Sequence, residues 1–274
     1  MRQYTREQFA KKLGADSDPK LNAAADFAAR LLNGPLGDKV ARIILFGSVA
    51  RGEAKPESDI DLLVFSAAEL GPMQEAVSDS AFATGLDWKQ SVEPIVYGLS
   101  EMLIPDNWFV YRTLQVGKEI YRMNEEALRL RQAESIWGLA RRYYAQAEKA
   151  LSLTDCERLA LDGAYNAAEL AAKGLLALRL KDLPGSHGGV VTLFRREYVA
   201  TGIVGLEYSS RLGKGLELRN KARYAPEAVI TAEQAREVLS LAQELSALLE
   251  QKVREAAASP HASSASDEQK PAEE

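Results

Sequence analysis

Apolar and polar positions alternate with two different periods along the chain, and the period changes near residue 125. Before this point, short apolar runs of strand character alternate with stretches of helical spacing. Strands are predicted at 40–46, 59–65, 91–97 and 117–122, and helices at 21–32, 72–82 and 100–114. Strands that alternate with helices in this way predict an α+β/α unit, a mixed sheet with flanking helices.

After residue 125 the apolar positions recur only at helical spacing, which predicts an all-α helical bundle. Helices are expected at 128–151, 159–180, 190–198, 206–223 and from 232 onward. Thr154 with Glu157, and Thr231 with Gln234, have the spacing of capping boxes and predict two of the helix starts. The helix at 159–180 is rich in alanine, so its small face forms either the bundle core or a dimer seam.

The change of period predicts two domains and a tail. We assign residues 1–122 to the first domain, 123–256 to the helical domain and 257–274 to the tail. The tail consists of Ser, Ala, Pro and acidic residues, and it is expected to be disordered because it lacks the apolar content for a core.

Composition is that of a soluble globular protein, with 46% apolar and 27% charged residues among 274. The net charge of −5 excludes a polycation that coats nucleic acid. A single cysteine, Cys156, excludes an internal disulfide and makes a cysteine-based zinc site implausible. The N-terminus has no apolar signal core and no apolar run approaches the ~20 residues that span a bilayer, so we expect a cytoplasmic protein without membrane contact.

Two carboxylates open the second predicted strand. Asp59 and Asp61 are two residues apart, so on a strand they point to the same face. Glu93, near the start of the next strand, is the best placed third carboxylate. Converging carboxylates can hold two metal ions ~3.5–4 Å apart that activate an attacking oxygen and stabilise leaving pyrophosphate. Each acidic residue alone is unremarkable, and their order and spacing together predict a metal site.

A glycine-punctuated turn lies between the first two strands. Gly47 and Ser48 would offer backbone N–H groups and a hydroxyl to the phosphates of a nucleotide. Arg51 and Lys55 are candidate cationic partners of those phosphates.

The stretch Gly-Ser-Val-Ala-Arg-Gly at 47–52, followed by Ser-Asp-Ile-Asp-Leu at 58–62, resembles the signature of the minimal nucleotidyltransferases of the DNA polymerase β-like superfamily. The resemblance covers roughly residues 21–122 and implies that Gly47 and Ser48 bind triphosphate while Asp59 and Asp61 hold Mg²⁺. The third family carboxylate, usually Asp, falls on Glu93, followed by Pro94, which departs from the pattern.

The helical half is similar to HEPN domains. The resemblance is carried by Arg219-Asn220, by 164–169 and by the loop that holds His187. Catalytic HEPN ribonucleases resemble one another in an Arg-polar pair followed by His, but Tyr224 stands at the position of that His. The resemblance therefore implies a non-cleaving module, and His187 is interpreted as an anchor of its loop.

A basic cluster lies along the same helical segment, and we interpret it as a solvated helix face in preference to a nucleic-acid surface. Its members are Arg211, Lys214, Arg219, Lys221 and Arg223.

Together these features predict a Mg²⁺-dependent nucleotidyltransferase, using two ions, that moves AMP from ATP onto a hydroxyl. The acceptor would be a protein, as in toxin–antitoxin pairs of these two families, or a small molecule. The alternatives are an enzyme like the aminoglycoside adenylyltransferases and a non-catalytic module that binds a nucleotide or RNA. The sequence leaves the acceptor, another nucleoside triphosphate, RNA contact and a homo-oligomer open.

Overall fold

The computed structural model describes residues 3–103, 105 and 107–258. These residues form two compact units, one ending at Asn124 and the other beginning at Glu125. Of the predicted tail at 257–274, the first two residues continue the last helix and the rest lies outside the described residues. Among the described helices, none has both the length and the apolar character needed to cross a membrane.

The N-terminal unit is a four-stranded mixed sheet with flanking helices, as predicted. Its strands lie in the order β3-β2-β1-β4, with β1 antiparallel to β2 and β4, and β2 parallel to β3. In chain order the elements are α1 (Arg6–Leu13), α2 (Pro19–Asn33), β1 (Val40–Leu45), α3 (Gly47–Arg51), β2 (Ile60–Ser66), α4 (Leu70–Trp88), β3 (Val92–Gly98), α5 (Leu99–Leu103), α6 (Trp108–Val116) and β4 (Lys118–Arg122).

The two faces of this sheet have different tasks. Ile43, Leu45 and Leu62 point to one face and pack in a buried cluster with apolar side chains of α2 and α4. Because successive side chains of a strand point to opposite faces, Asp61 and Leu63 belong to the other face. Leu63 and Phe65 on that face are also buried, whereas Asp61, at the beginning of β2, is only partly buried and is available for chemistry.

Strand β3 lies at the edge of the sheet and carries a proline. Pro94 is in register with Leu62 of β2, and its neighbours Glu93 and Ile95 are exposed. Proline has no N–H to donate to a further strand, so an edge strand is where a sheet tolerates it.

The C-terminal unit is a bundle of α7 (Glu125–Leu151), α8 (Glu157–Ala177), α9 (His187–Phe194), α10 (Leu206–Tyr224) and α11 (Ala232–Ala258), with a π-helical turn after α9. Helix α8 is buried along most of its length, and its alanines pack inside the bundle. Close approach also needs glycine here, since a Cβ on Gly174 would lie 2.4 Å from Leu249 Cδ2. The alanine-rich face therefore belongs to the bundle core.

One of the two predicted capping boxes is correct. Thr231 Oγ1 accepts from the Gln234 N–H at 3.2 Å, and Gln234 Oε1 accepts from the Thr231 N–H at 3.0 Å. The Thr154 box is wrong, because α8 begins at Glu157 with Cys156 in the N-cap position and no side-chain cap. Asp155, with a φ of 58°, reverses the chain there, so Thr154 lies in the turn between the two helices.

Candidate nucleotidyl-transfer site

The turn after β1 is packed directly against a carboxylate of β2. Gly47 has a φ of +70°, and a Cβ built there would lie 1.9 Å from Asp61 Oδ2. Both the backbone conformation and the space therefore require glycine. The predicted turn is the short helix α3, which is capped by Gly52 at a φ of +73°. The backbone of this turn thus lies beside the Asp61 carboxylate.

Asp59 and Asp61 form a pair of carboxylates with like charge. Asp59 directly precedes β2. Asp61 is the second residue of β2, and its backbone carbonyl accepts from the Phe46 N–H at 3.0 Å. Burial and then the nearby Asp59 charge raise the pKa of Asp61, and Arg51 opposes this rise. Within the part of the chain that the structure describes, neither carboxylate has a hydrogen-bond or ion-pair partner. Two unpartnered oxygen ligands of like charge fit a bound divalent cation.

Glu93 reaches the same side of the sheet from the edge strand. It is the register partner of Asp61 in the parallel β2–β3 pair, and its side chain is exposed. Register partners on neighbouring strands share a face, so both carboxylates leave the sheet in the same direction. No group of three or more His, Cys, Asp or Glu among the described residues is arranged to hold a metal. The pair of aspartates fits a cation, and Glu93 as third ligand stays a prediction.

The proposed phosphate-binding groups lie at the start of α3. Ser48 is its second residue and is half-buried, and the first N–H groups of a helix have no acceptor within the helix. Arg51 Nε donates to Glu53 Oε2 at 2.7 Å, and both side chains are exposed. Lys55 is also exposed. The roles of Gly47, Ser48 and Arg51 toward a nucleotide remain predictions.

One buried cation near this site had no signal in the sequence. Lys20 of α2 is only 8% exposed, and its ammonium donates to Pro56 O, Ser58 O and Gln90 Oε1 at 3.0, 2.5 and 2.8 Å. Its partners are 36 to 70 residues away along the chain, so no local pattern could reveal it.

In the C-terminal unit, Arg219 of the HEPN-type residues is buried, whereas Tyr224 is exposed. The Arg219 side chain is 7% exposed, with Nε 3.4 Å from Asp162 Oδ1 and Nη1 donating to Asn220 Oδ1 at 3.1 Å. Arg223 donates twice to Asp162, at 2.6 and 2.8 Å, and this contact raises the pKa of Arg223. Tyr224 is 71% exposed, and its interaction with Arg223 adds a smaller contribution to the raised pKa of that arginine.

His187 has a partner that sequence reasoning missed. It is the first residue of α9, and its Nδ1 lies 2.5 Å from Oε2 of the buried Glu169. Lys173 Nζ lies 2.9 Å from the other oxygen. The buried Tyr165 ring contacts the His187 ring edge-on. Burial, and then the charge of Glu169, raises the pKa of the Tyr165 hydroxyl. A half-exposed histidine is thus oriented by a buried carboxylate.

The basic cluster of α10 is mostly engaged with carboxylates of the same unit. Arg211 forms two hydrogen bonds with Glu244, at 2.7 and 2.8 Å, and lowers the pKa of Glu244 to about 2. Lys214 pairs with Glu237 at 3.1 Å. The interpretation as a solvated face holds for these pairs, but Arg219 is buried.

Family models of known proteins match one segment in each of the two units. Residues 31–115 match the family model described as nucleotidyltransferase domain, and residues 133–252 match the model described as HEPN domain. A solved structure, spectinomycin adenyltransferase AAD(9) from Enterococcus faecialis with ATP and spectinomycin, aligns at 14% identity over 84% of this chain and 98% of that chain, with a TM-score of 0.28. A search of curated proteins gives no match. The chain therefore contains a nucleotidyltransferase domain at 31–115, followed by a HEPN domain at 133–252.

Proposed function

We propose that the N-terminal unit transfers a nucleoside monophosphate, AMP from ATP, onto a hydroxyl group. The observation that carries the proposal is the unpartnered pair of Asp59 and Asp61 with Gly47 packed against it. The acceptor hydroxyl belongs to a protein in a toxin–antitoxin-type pair, or to a small molecule such as an aminoglycoside. Saturable nucleotide binding without turnover would refute this proposal and would indicate a nucleotide-binding module.

The residues of the site would have different roles in binding the metal, the triphosphate and the acceptor. Asp59 and Asp61 would hold Mg²⁺, which supplies charge stabilisation at the phosphate when bound. The backbone N–H groups at Gly47 and Ser48 would bind the triphosphate, and Arg51 would exchange Glu53 for a phosphate oxygen. Glu93, exposed on the same face, would complete the acidic set beside the acceptor.

The test is to incubate the full chain with Mg²⁺ and each nucleoside triphosphate, alone, with lysate protein and with aminoglycosides. Intact-mass analysis and pyrophosphate release identify the molecule that gains one nucleotide. We expect Asp59→Asn and Asp61→Asn to abolish transfer, whereas Glu57→Gln, which removes a carboxylate from the exposed loop ahead of them, retains it. Transfer that survives both aspartate substitutions would refute the mechanism.

A second candidate function concerns the HEPN unit, because the half-exposed His187 lies against the buried carboxylate of Glu169. We propose that His187, oriented by Glu169, acts as general base and acid in RNA cleavage. It would take the proton of a ribose 2′-hydroxyl as this oxygen attacks phosphorus, and protonate the departing 5′-oxygen. The products would be a 2′,3′-cyclic phosphate and a 5′-hydroxyl end.

This candidate is tested in EDTA, which removes the metal-dependent chemistry of the other unit. Cleavage of an RNA oligonucleotide should disappear in His187→Ala and fall in Glu169→Gln, while His261→Ala, the matched change at the other histidine, leaves it intact. An intact RNA after prolonged incubation with the wild-type protein refutes this second function and favours the non-cleaving module.

A further inference from the structure

Lys20 provides a fully coordinated ammonium beneath the loop that leads to the aspartates. A lysine ammonium has three N–H donors, and each of the three hydrogen bonds described above uses one. The three acceptors are two backbone carbonyls and one amide, all of them neutral oxygens. No carboxylate among the described residues is a partner of the Lys20 ammonium.

The stability of the fold does not by itself explain a buried ammonium at this position. Moving an ammonium out of water carries a large desolvation cost, and neutral acceptors offset it less than a carboxylate would. An apolar side chain of similar length, such as methionine, would fill the same space without that cost. The ammonium is therefore explained by the backbone that it holds in place.

The three acceptors lie just ahead of the two strands near which the predicted acidic ligands are found: the carbonyls of Pro56 and Ser58 precede β2, and the side-chain amide of Gln90 precedes β3. Ser58 O is the carbonyl immediately before Asp59, and Gln90 lies three residues before Glu93. The neighbouring backbone bond, from the Ile60 N–H to Ser91 O at 2.9 Å, joins the same two strand starts. One buried group thus fixes the approach to β2 against the approach to β3.

We propose that Lys20 is a positioning residue of the transfer site: it sets the relative placement of the Asp59–Asp61 pair and Glu93 without touching the substrate. The inference rests on the proposed function of this unit. Loss of a group that orients acidic ligands typically costs 10–100-fold in metal affinity or activity.

The test compares Lys20→Met with Val77→Ala in the full chain. Val77 is a buried residue of α4, so its truncation weakens the unit without touching the loop. We expect Lys20→Met to lower kcat roughly 10–100-fold, with a much smaller change in the KM for ATP, and to weaken Mn²⁺ binding measured without turnover by a similar factor. Hydrogen exchange of the peptide that spans residues 55–61 should accelerate. Val77→Ala should leave the Mn²⁺ affinity and this peptide unchanged.

Each result decides the proposal. If Lys20→Met folds and matches Val77→Ala in Mn²⁺ affinity and in exchange at 55–61, Lys20 is only structural and the inference is overturned. If Lys20→Met does not fold, Gln90→Leu removes one acceptor, and unchanged exchange and Mn²⁺ affinity in that variant overturn it. A wild-type protein without transfer activity refutes the proposed function alone, because the exchange measurement still judges the role of Lys20.

Discussion

Gly47 is the position at which one added methyl group tests the whole site. In Gly47→Ala the new Cβ would lie 1.9 Å from Asp61 Oδ2, far inside the 3.0 Å that Cβ atoms keep from other heavy atoms. The Asp61 carboxylate must therefore move by about 1 Å, and a displacement of that size can cost ~100-fold in rate. A 100-fold loss corresponds to about 2.7 kcal/mol of transition-state stabilisation. The backbone adds a second cost, because alanine at a φ of +70° loses roughly 1–2 kcal/mol of stability.

Gly52→Ala separates the two costs. Gly52 has a φ of +73°, so alanine suffers the same backbone strain, but a Cβ there would meet no atom within 4 Å. Both variants should lose similar free energy of unfolding in a urea titration. Only Gly47→Ala should lose nucleotide transfer, followed as pyrophosphate release with the identified acceptor, and Mn²⁺-dependent nucleotide binding. Equal loss of transfer in the two variants would show that backbone strain, and not the contact with Asp61, explains the glycine.

Four further substitutions test charge and packing. Asp61→Asn should reduce transfer by more than ~100-fold. It should also raise the melting temperature of the metal-free protein at pH 7. The pKa of Asp61 is raised in the folded protein, so ionisation of this carboxyl destabilises the fold above its ordinary titration range. Glu244→Gln should cost roughly 0.5–1 kcal/mol at pH 7, since the pair with Arg211 is half-exposed, and the difference should shrink as the pH falls below 4.5 and vanish below about 2. Gly174→Ala should destabilise the bundle by about 1–2 kcal/mol, whereas Gly138→Ala, with open space on α7, should stabilise it by roughly 0.5–1 kcal/mol.

The outcomes that contradict these expectations are equally specific. A lower melting temperature for Asp61→Asn would mean that its carboxylate has a stabilising partner. A Glu244→Gln effect that persists unchanged at pH 2 would exclude the charge of Glu244 as its cause. Equal unfolding midpoints in urea for the two bundle glycine variants would mean that α8 and α11 can separate to accept a methyl group.

The sequence predicted the elements well where a local pattern decides them. Apolar runs located the four strands, and helical spacing located α2, α4 and the bundle helices, because burial of one face dominates such segments. The segment predicted as one helix at 100–114 contains two, α5 and α6, and the predicted turn after β1 is helix α3. The pair of Asp59 and Asp61 could be found for the same reason, since the alternation of a strand fixes their common direction. Local signals failed at Thr154, where a turn between two helices occupies the residues that would have formed the cap.

Contacts between distant segments could not be predicted. The pairing of His187 with Glu169 requires the loop after α8 to fold back on it, and the bonds of Lys20 join α2 to two strand starts. The role of Gly47 could be predicted only in part. The sequence identified the glycine, but glycine is required because the Asp61 carboxylate fills the space of a side chain, and this contact exists only in the folded sheet.

The proline of β3 has a consequence for association between molecules. An exposed edge strand offers its unpaired N–H and C=O groups to a strand of another chain, which is a route to aggregation. Pro94 withholds one of those N–H groups at the middle of the edge, beside the exposed Glu93. Substituting Pro94 by valine, a strand-forming residue, would restore the donor and permit a second chain to extend the sheet. The proline therefore keeps this border of the sheet open to solvent and leaves the carboxylate next to it accessible.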